Sequence, residues 1–248
     1  GIITPIFYFY CPISDLVMGR IFEKRKHKMF ARFDKMAKRF TRIGKDIAIA
    51  VKQARPSPDN NPRLRMAIQN AKGLNMPKDR VEAAIKRASS KEEKDFQEII
   101  YEGYAPHGVP VIVACATDNP TRTVANVRLH FSKNGGSMGN SGSVMFMFEH
   151  RGVFKFDPAK LNLNEVELDL IDAGAEDIQR DEEEILVYTK FADFGQMQKF
   201  LESKGWEPKS SELQYIPTTT KELSEAEQDE VMECVGALEA DDDVQNVY

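Results

Sequence analysis

Apolar residues recur at Met29, Phe33, Met36, Phe40, Ile43, Ile47, Ala50 and Ala54. Steps of three and four place them on one side of a helix, which predicts a long first helix. Arg55-Pro56-Ser57-Pro58 ends it, because each proline drives the residue before it out of the helical region. Asn61 as a cap and Pro62 in the first turn open a second helix, through Leu64, Ile68 and Ala71 toward Gly73. Met76-Pro77-Lys78-Asp79 opens a third, with Val81, Ala84, Ile85 and Ala88 facing inward. Three helices joined by short proline-bearing turns predict a small bundle.

After a charged linker at 89–95 the period changes. Residues 96–104 and 109–116 read as strands around the turn Ala105-Pro106-His107-Gly108. Asp118-Asn119-Pro120 caps a helix with Val124, Val127 and Phe131 on its buried side, ending at Gly135-Gly136. The run GGSMGNSG at 135–142 lacks the spacing and the lysine of a Walker motif, so a hinge is expected there rather than a phosphate cradle. A hairpin of 144–149 with 152–156 follows, then a helix at 164–173, strands at 175–179 and 184–189, and a helix at 194–204. Residues 206–216 read as extended, with Trp206 expected in the core. The order ββαββαβ makes a self-sufficient α+β domain. The closing helix at 224–238 and strand at 244–248 cannot bury their apolar sides unaided, and should return to complete the unit begun at 96. The expected architecture is therefore α+β in three domains. They are a basic helical bundle at 18–92, a discontinuous α+β domain at 93–142 with 218–248, and a third α+β domain at 143–217 inserted in the second.

Charge separates these domains further. Residues 18–90 hold 20 Lys+Arg against 6 Asp+Glu, whereas residues 91–248 hold 14 against 32. On the first helix Lys35, Lys38, Arg39, Arg42 and Lys45 lie off the apolar stripe. Arg63, Arg65, Lys72, Lys78, Arg80, Lys86 and Arg87 cover the other two. Like charges three or four apart cost a helix a few tenths of a kcal/mol per pair. Repeating them is a stability cost that a bound phosphate backbone would offset, so a polyanion, most commonly nucleic acid, is the expected partner.

Other chemistry is thin. Cys11, Cys115 and Cys234 are far apart, and His27, His107, His130 and His150 fall on different elements with no ligand spacing. Neither a Ser/His/Asp nor a Cys/His order stands out, so no enzyme, metal or cofactor is expected. Asp241-Asp242-Asp243 lacks the alternating spacing of a calcium loop and reads as a solvated acidic turn. No apolar run approaches ~18 residues, so no membrane partner is expected. Residues 1–17, apolar and interrupted by Pro5 and Pro12, read as a non-native extension before Met18, with a cytoplasmic protein following. The rival reading takes the basic, acid-poor stretch from Arg20 to Lys45 as a mitochondrial transit segment.

Several motifs in fixed order resemble the YebC family, which includes the mitochondrial translational activator of cytochrome oxidase subunit one. They are Asn61-Pro62-Arg63-Leu64-Arg65, Asn75-Met76-Pro77-Lys78-Asp79, Ala84-Ile85-Lys86-Arg87, Tyr101-Glu102-Gly103-Tyr104, Thr117-Asp118-Asn119 and Arg122-Thr123. Val127-Arg128, Phe131-Ser132-Lys133, Gly135-Gly136, Gly142-Ser143-Val144 and Asp243-Val244-Gln245-Asn246-Val247-Tyr248 continue the series. Residues 18–39 depart from the commoner pattern, with Phe22 in the region where the family usually carries Trp. The resemblance implies the same three-domain arrangement. It also implies one of two activities: a DNA-binding transcriptional regulator, or a ribosome-associated translation factor that relieves stalling, including at proline runs.

The first reading is a translation factor that binds ribosomal RNA through the bundle, with the ribosome and tRNA as partners. The second is a DNA-binding regulator, for which Gln69 and Asn70 on the second helix are the base-reading candidates. The third is a protein-interaction module with a basic docking face. Candidate nucleic-acid contacts are Lys35, Lys38, Arg39, Arg42, Lys45, Arg63, Arg65, Lys78, Arg80, Lys86 and Arg87. A second group, Tyr101, Tyr104, Asn119, Arg122, Arg128 and Lys133, is placed where the domains should face one another, as interdomain packing or ligand contact. Replacing Lys38, Arg39 and Arg42 together by Glu should abolish RNA association with the fold intact, measured by co-sedimentation with ribosomes and circular dichroism. Affinity of the parent should fall with salt, with a log–log slope of about 0.9 per duplex-DNA phosphate neutralised and somewhat less for single strands.

Overall fold

The computed structural model describes residues 35–90 and 95–248. The chain forms two compact units, one containing residues 36–96 with 150–214 and the other residues 97–149 with 215–248.

The first unit opens with three helices, α1 (Lys35–Gln53), α2 (Pro62–Gly73) and α3 (Lys78–Ala88). Ile43, Ile47, Ala50 and Val51 of α1 are buried against Leu64, Ala67 and Ala71 of α2 and Val81 and Ala88 of α3. Ile43, Ile47 and Ala50 of the predicted stripe thus form the core seam, Ala54 is exposed past the helix end, and Met29 and Phe33 lie outside the described residues. Asn61 is only 2% exposed, and every polar atom of its carboxamide is used. Its Oδ1 accepts from the Leu64 N–H at 3.0 Å, capping α2. Its Nδ2 donates to the carbonyls of Ala50 at 2.8 Å and Arg55 at 3.0 Å. One side chain therefore both starts α2 and satisfies carbonyls at the end of α1, a pairing that a buried amide requires.

From Gln97 the elements run β1 (Gln97–Ala105), β2 (Val109–Thr117), α4 (Pro120–Lys133), β3 (Ser137–Met138), β4 (Phe148–Phe156), α5 (Leu163–Asp172), β5 (Ala175–Arg180), β6 (Ile185–Lys190), α6 (Phe194–Lys204), β7 (Ser210–Pro217), α7 (Glu225–Ala240) and β8 (Val244–Val247). They build two four-stranded sheets, ordered β3-β1-β2-β8 and β5-β6-β4-β7. The closing strand β8 pairs antiparallel with β2, and α7 packs beside α4 through Val231, Cys234 and Leu238. Val111, Val113 and Cys115 of β2 meet those helices, while Ile112 points the other way against Val144 and Phe148. Burial on both sides explains why β2 reads as a continuous apolar run. In the other sheet Phe154, Phe156, Ile185 and Val187 pack against α5 and α6, and Trp206, expected in the core, is half-buried at its edge.

Two expectations fail here. The hairpin expected across 144–156 is a short 3-10 turn at Met145–Met147 followed by one strand, β4. Gly152, expected to open the hairpin's second strand, lies inside β4. It sits mid-strand because a β-carbon there would collide with the Thr189 hydroxyl and the Phe194 ring. It is a close approach, the other reason for glycine in a strand. The glycine-rich run is likewise not a free hinge. The Gly139 N–H donates to the Glu102 carbonyl, and the N–H groups of Gly142, Val144 and Met145 donate to the Glu102 carboxylate at 2.6, 2.8 and 2.8 Å. The loop does cradle an anion, and the anion belongs to the protein.

Burial alone would raise the pKa of Glu102; the three N–H donors outweigh it and hold the carboxyl below its ordinary value of 4.5. The stabilisation is therefore complete above the unfolded value and is lost as pH falls through the lower folded one. Glu102→Gln should cost about 1–3 kcal/mol at neutral pH, because an amide group then opposes buried donors. Thermal unfolding of parent and variant, followed from neutral pH into acid, should show a gap that closes on acidification. A gap independent of pH would remove the carboxylate from this account.

Candidate nucleic-acid interface

α1 and α3 meet along an open groove of about 490 Å³. Its walls carry Phe40, Thr41 and Lys45 from α1, Arg80 and Arg87 from α3, and Phe96 after the bundle. Among the described residues lining it there are three cations and no carboxylate. The Arg80 guanidinium carbon lies 5.7 Å from the centre of the Phe40 ring, and the Lys45 ammonium lies 5.4 Å from that of Phe96. Each cation is thereby held over an aromatic face, an arrangement contributing about 0.5–1 kcal/mol at exposed sites. Phe40 was expected in the core stripe. It stands at the stripe's edge, half-buried, as a groove wall.

The remaining candidates divide. Arg39, Lys78, Lys86 and Arg87 are exposed, and Lys78 has Glu82 one turn away at 3.7 Å. Lys38 and Arg42 are half-buried on α1, and Lys35 begins that helix. The α2 cations have other duties. Arg65 donates to Glu202 and to the carbonyls of Pro58 and Asp59. Arg63 donates to Gln53, and Lys72 pairs with Glu207.

α2 also docks onto the strand region at 209–213. The Asn70 amide donates to the Ser211 carbonyl at 3.0 Å, and its oxygen accepts from the Ser211 N–H at 2.8 Å. A β-carbon on Gly73 would collide with the carbonyl of Lys209, so the helix end closes directly on backbone. Met66 packs against the core that includes Leu170, Met197 and Leu201. Asn70, considered as a base reader, is 91% buried and reads the protein's own strand instead.

The second group of candidates lies wholly in the unit of 97–149 with 215–248, and does not form one cluster. Tyr101 and Tyr104 sit three residues apart on β1 and point to opposite sides of the sheet. Burial raises the Tyr101 phenol pKa, with Cys115 and Asp243 adding to it, and the Tyr104 hydroxyl donates to the Ser143 carbonyl. Asn119 caps α4 by accepting from the Arg122 N–H at 3.1 Å. Arg122 makes a two-nitrogen contact to Asp243 and a third to Asp118. Hydrogen bonding to Asp243 first, then to Asp118, raises its pKa and fixes its charge. Arg128 and Lys133 are exposed on α4. The triple-aspartate turn is also not simply solvated. Asp243 accepts from Arg122 and from the Thr123 hydroxyl, and Asp241 faces His130 at 3.0 Å. Both are 8% exposed at the side chain, so they anchor α4 to the last turn.

Comparison with known proteins places this geometry. The N-terminal domain description of the TACO1/YebC protein matches residues 20–91, and that of its second and third domains matches residues 96–248. The chain belongs to the TACO1/YebC family. A "probable transcriptional regulatory protein" of Anaeromyxobacter dehalogenans is 54% identical over 236 residues, covering 93% of this chain and 98% of that one. One of the same name from Flavobacterium johnsoniae is 52% identical over 231 residues, with the same coverage. The crystal structure of a conserved hypothetical protein from Aquifex aeolicus is similar with a TM-score of 0.77 at 37% identity, covering 87% of this chain and 90% of that one. The α+β architecture with an N-terminal helical region is therefore that of the TACO1/YebC fold.

Sequence reasoning found the cations of this TACO1/YebC chain but not the aromatics beneath them, because apolar spacing counts Phe40 as core. Asn70 also gave no signal, since a helix-surface amide looks the same whether it meets a base, water or a strand. Asn70→Ala should leave the Ser211 N–H and carbonyl buried without partners and cost about 2–3 kcal/mol. A urea unfolding curve of the variant checks this; an unshifted midpoint would mean that the pair contributes nothing to holding α2.

Proposed function

We propose that this TACO1/YebC-family protein is a regulator of gene expression that binds structured RNA on the ribosome and relieves stalled translation. The observation carrying the reading is the α1–α3 groove, whose described lining residues include three cations, Lys45, Arg80 and Arg87, and no carboxylate. A cationic helical face recognises phosphate and shape without a base code, which suits folded RNA. The stalling role rests on the family resemblance. The regulator names carried by the relatives favour a second reading, binding to duplex DNA. Against it, a major-groove reader needs a helix presenting amides to base edges, and Asn70 of α2 is already paired with Ser211.

The reading is tested by crosslinking in cells with sequencing of the bound nucleic acid, on the parent chain and on Arg80→Glu with Arg87→Glu. Ribosomal RNA should dominate the parent sample and fall at least about tenfold in the variant, the loss of two phosphate contacts at physiological salt. Promoter fragments in place of ribosomal RNA would move the assignment to the second reading. Recovery of neither would end both.

A further inference from the structure

Helix α5 carries the opposite charge to the bundle, and it keeps apolar side chains outside. Leu163, Val166 and Leu170 form its inner stripe, buried in the core of its sheet. Leu168 and Ile171 stand off that stripe, three residues apart, 76% and 50% exposed. Exposed apolar side chains scattered singly are ordinary, but neighbours on one helix turn form a patch. The turn between β6 and α6 abuts the C-terminal end of this helix. The Gln196 side chain donates to the Ala173 carbonyl at 3.3 Å, and a β-carbon on Gly174 would crowd Asp193. That turn presents Phe191, 54% exposed, with its ring stacked on His150 at 4.6 Å between centres.

Charge frames the patch. α5 holds Glu165, Glu167, Asp169 and Asp172 and no cation. Lys204 of α6 reaches Asp169 at 3.4 Å, and Glu165 accepts from Asn162 at 2.7 Å. Glu167 and Asp172 are exposed next to Leu168 and Ile171 in the chain. Carboxylates at 165, 169 and 172 repel along one side of the helix. Asp172 also sits in the last turn, where the helix dipole is already negative. Both are stability costs that a cationic partner would offset.

We infer that the outer face of α5 docks another protein, through a basic segment that carries large apolar side chains. This goes beyond the RNA reading and uses elements other than α1 and α3. Charge complementarity decides the occupant. The carboxylates repel nucleic acid and anionic lipid surfaces, and Leu168 and Ile171 give an ion pair alone no reason to be exposed. A second copy of the chain could offer the cations of its bundle but not the apolar groups. None of the large apolar side chains exposed among the described residues lies in residues 35–90. Apolar anchors inside an acidic rim fit a partner with both features.

The test places the photo-crosslinker benzoylphenylalanine at exposed position 164, one turn before Leu168, in the full chain in cells. Crosslinked peptides are then sequenced by mass spectrometry. The parent should crosslink to a segment of another protein, rich in Lys and Arg and holding large apolar residues. Leu168→Gln with Ile171→Gln should lower the yield at least about tenfold, the loss of two apolar anchors. Glu167→Lys with Asp172→Lys should lower it comparably, because the reversed charges repel the same segment. Thermal midpoints of both variants should stay close to that of the parent, since all four side chains face solvent. A yield unchanged in either variant overturns the inference. So do crosslinks to RNA, to an acidic segment, or to residues of this chain or a second copy, and so does the absence of any crosslink. The RNA reading is tested separately through Arg80 and Arg87, and stands or falls without this result.

Discussion

Two hydrogen bonds between the Asn70 carboxamide and the Ser211 backbone decide what the helical bundle offers to a partner. A three-helix bundle has several outer faces, and all of them here are basic. Once α2 is seated on the strand region, its face is spent. The seat is specific because it is polar and buried: leaving either group without a partner costs more than the bond itself contributes. Gly73, closing directly on Lys209, and Met66, reaching the neighbouring core, fix the same contact. Among the described residues, the groove between α1 and α3 remains open.

Charge is handled in opposite ways in the two units. In the unit of 97–149 with 215–248, the carboxylates that matter structurally turn inward and are satisfied locally. Glu102 takes three backbone N–H groups, and Asp243 takes Arg122 and Thr123. In the bundle, Arg80 and Lys45 lie over aromatic rings, which restrains them. A carboxylate partner would cancel the field of a cation; a ring leaves it in place. Restrained cations lose less rotamer entropy on meeting an anion, which is the physical sense of Phe40 and Phe96 standing where they do.

The glycine-rich loop shows the same preference for internal closure. Its backbone donors converge as they would on a phosphate, but a side chain of β1 occupies the position. The loop is thereby tied to the sheet rather than available to a ligand, and the segment leading from it into β4 has a defined path.

The sequence by itself determined the elements and the charge. Asn61 with Pro62 and Asn119 with Pro120 announced helix starts because capping is a local interaction between residues three apart. The periods of Ile43, Ile47 and Ala50 on a helix, and the apolar run of β2, reported burial for the same reason. Only the tertiary structure decided which polar residues were committed. Asn70 to Ser211, Glu102 to Gly142, and Arg122 to Asp243 join positions 141, 40 and 121 apart. Gly152 sits inside β4 because of a close packing against Phe194. A hydrogen bond or a collision between distant segments leaves no periodic trace in the chain. The cations were therefore legible one residue at a time, and the groove they rim exists only once α1 and α3 are packed.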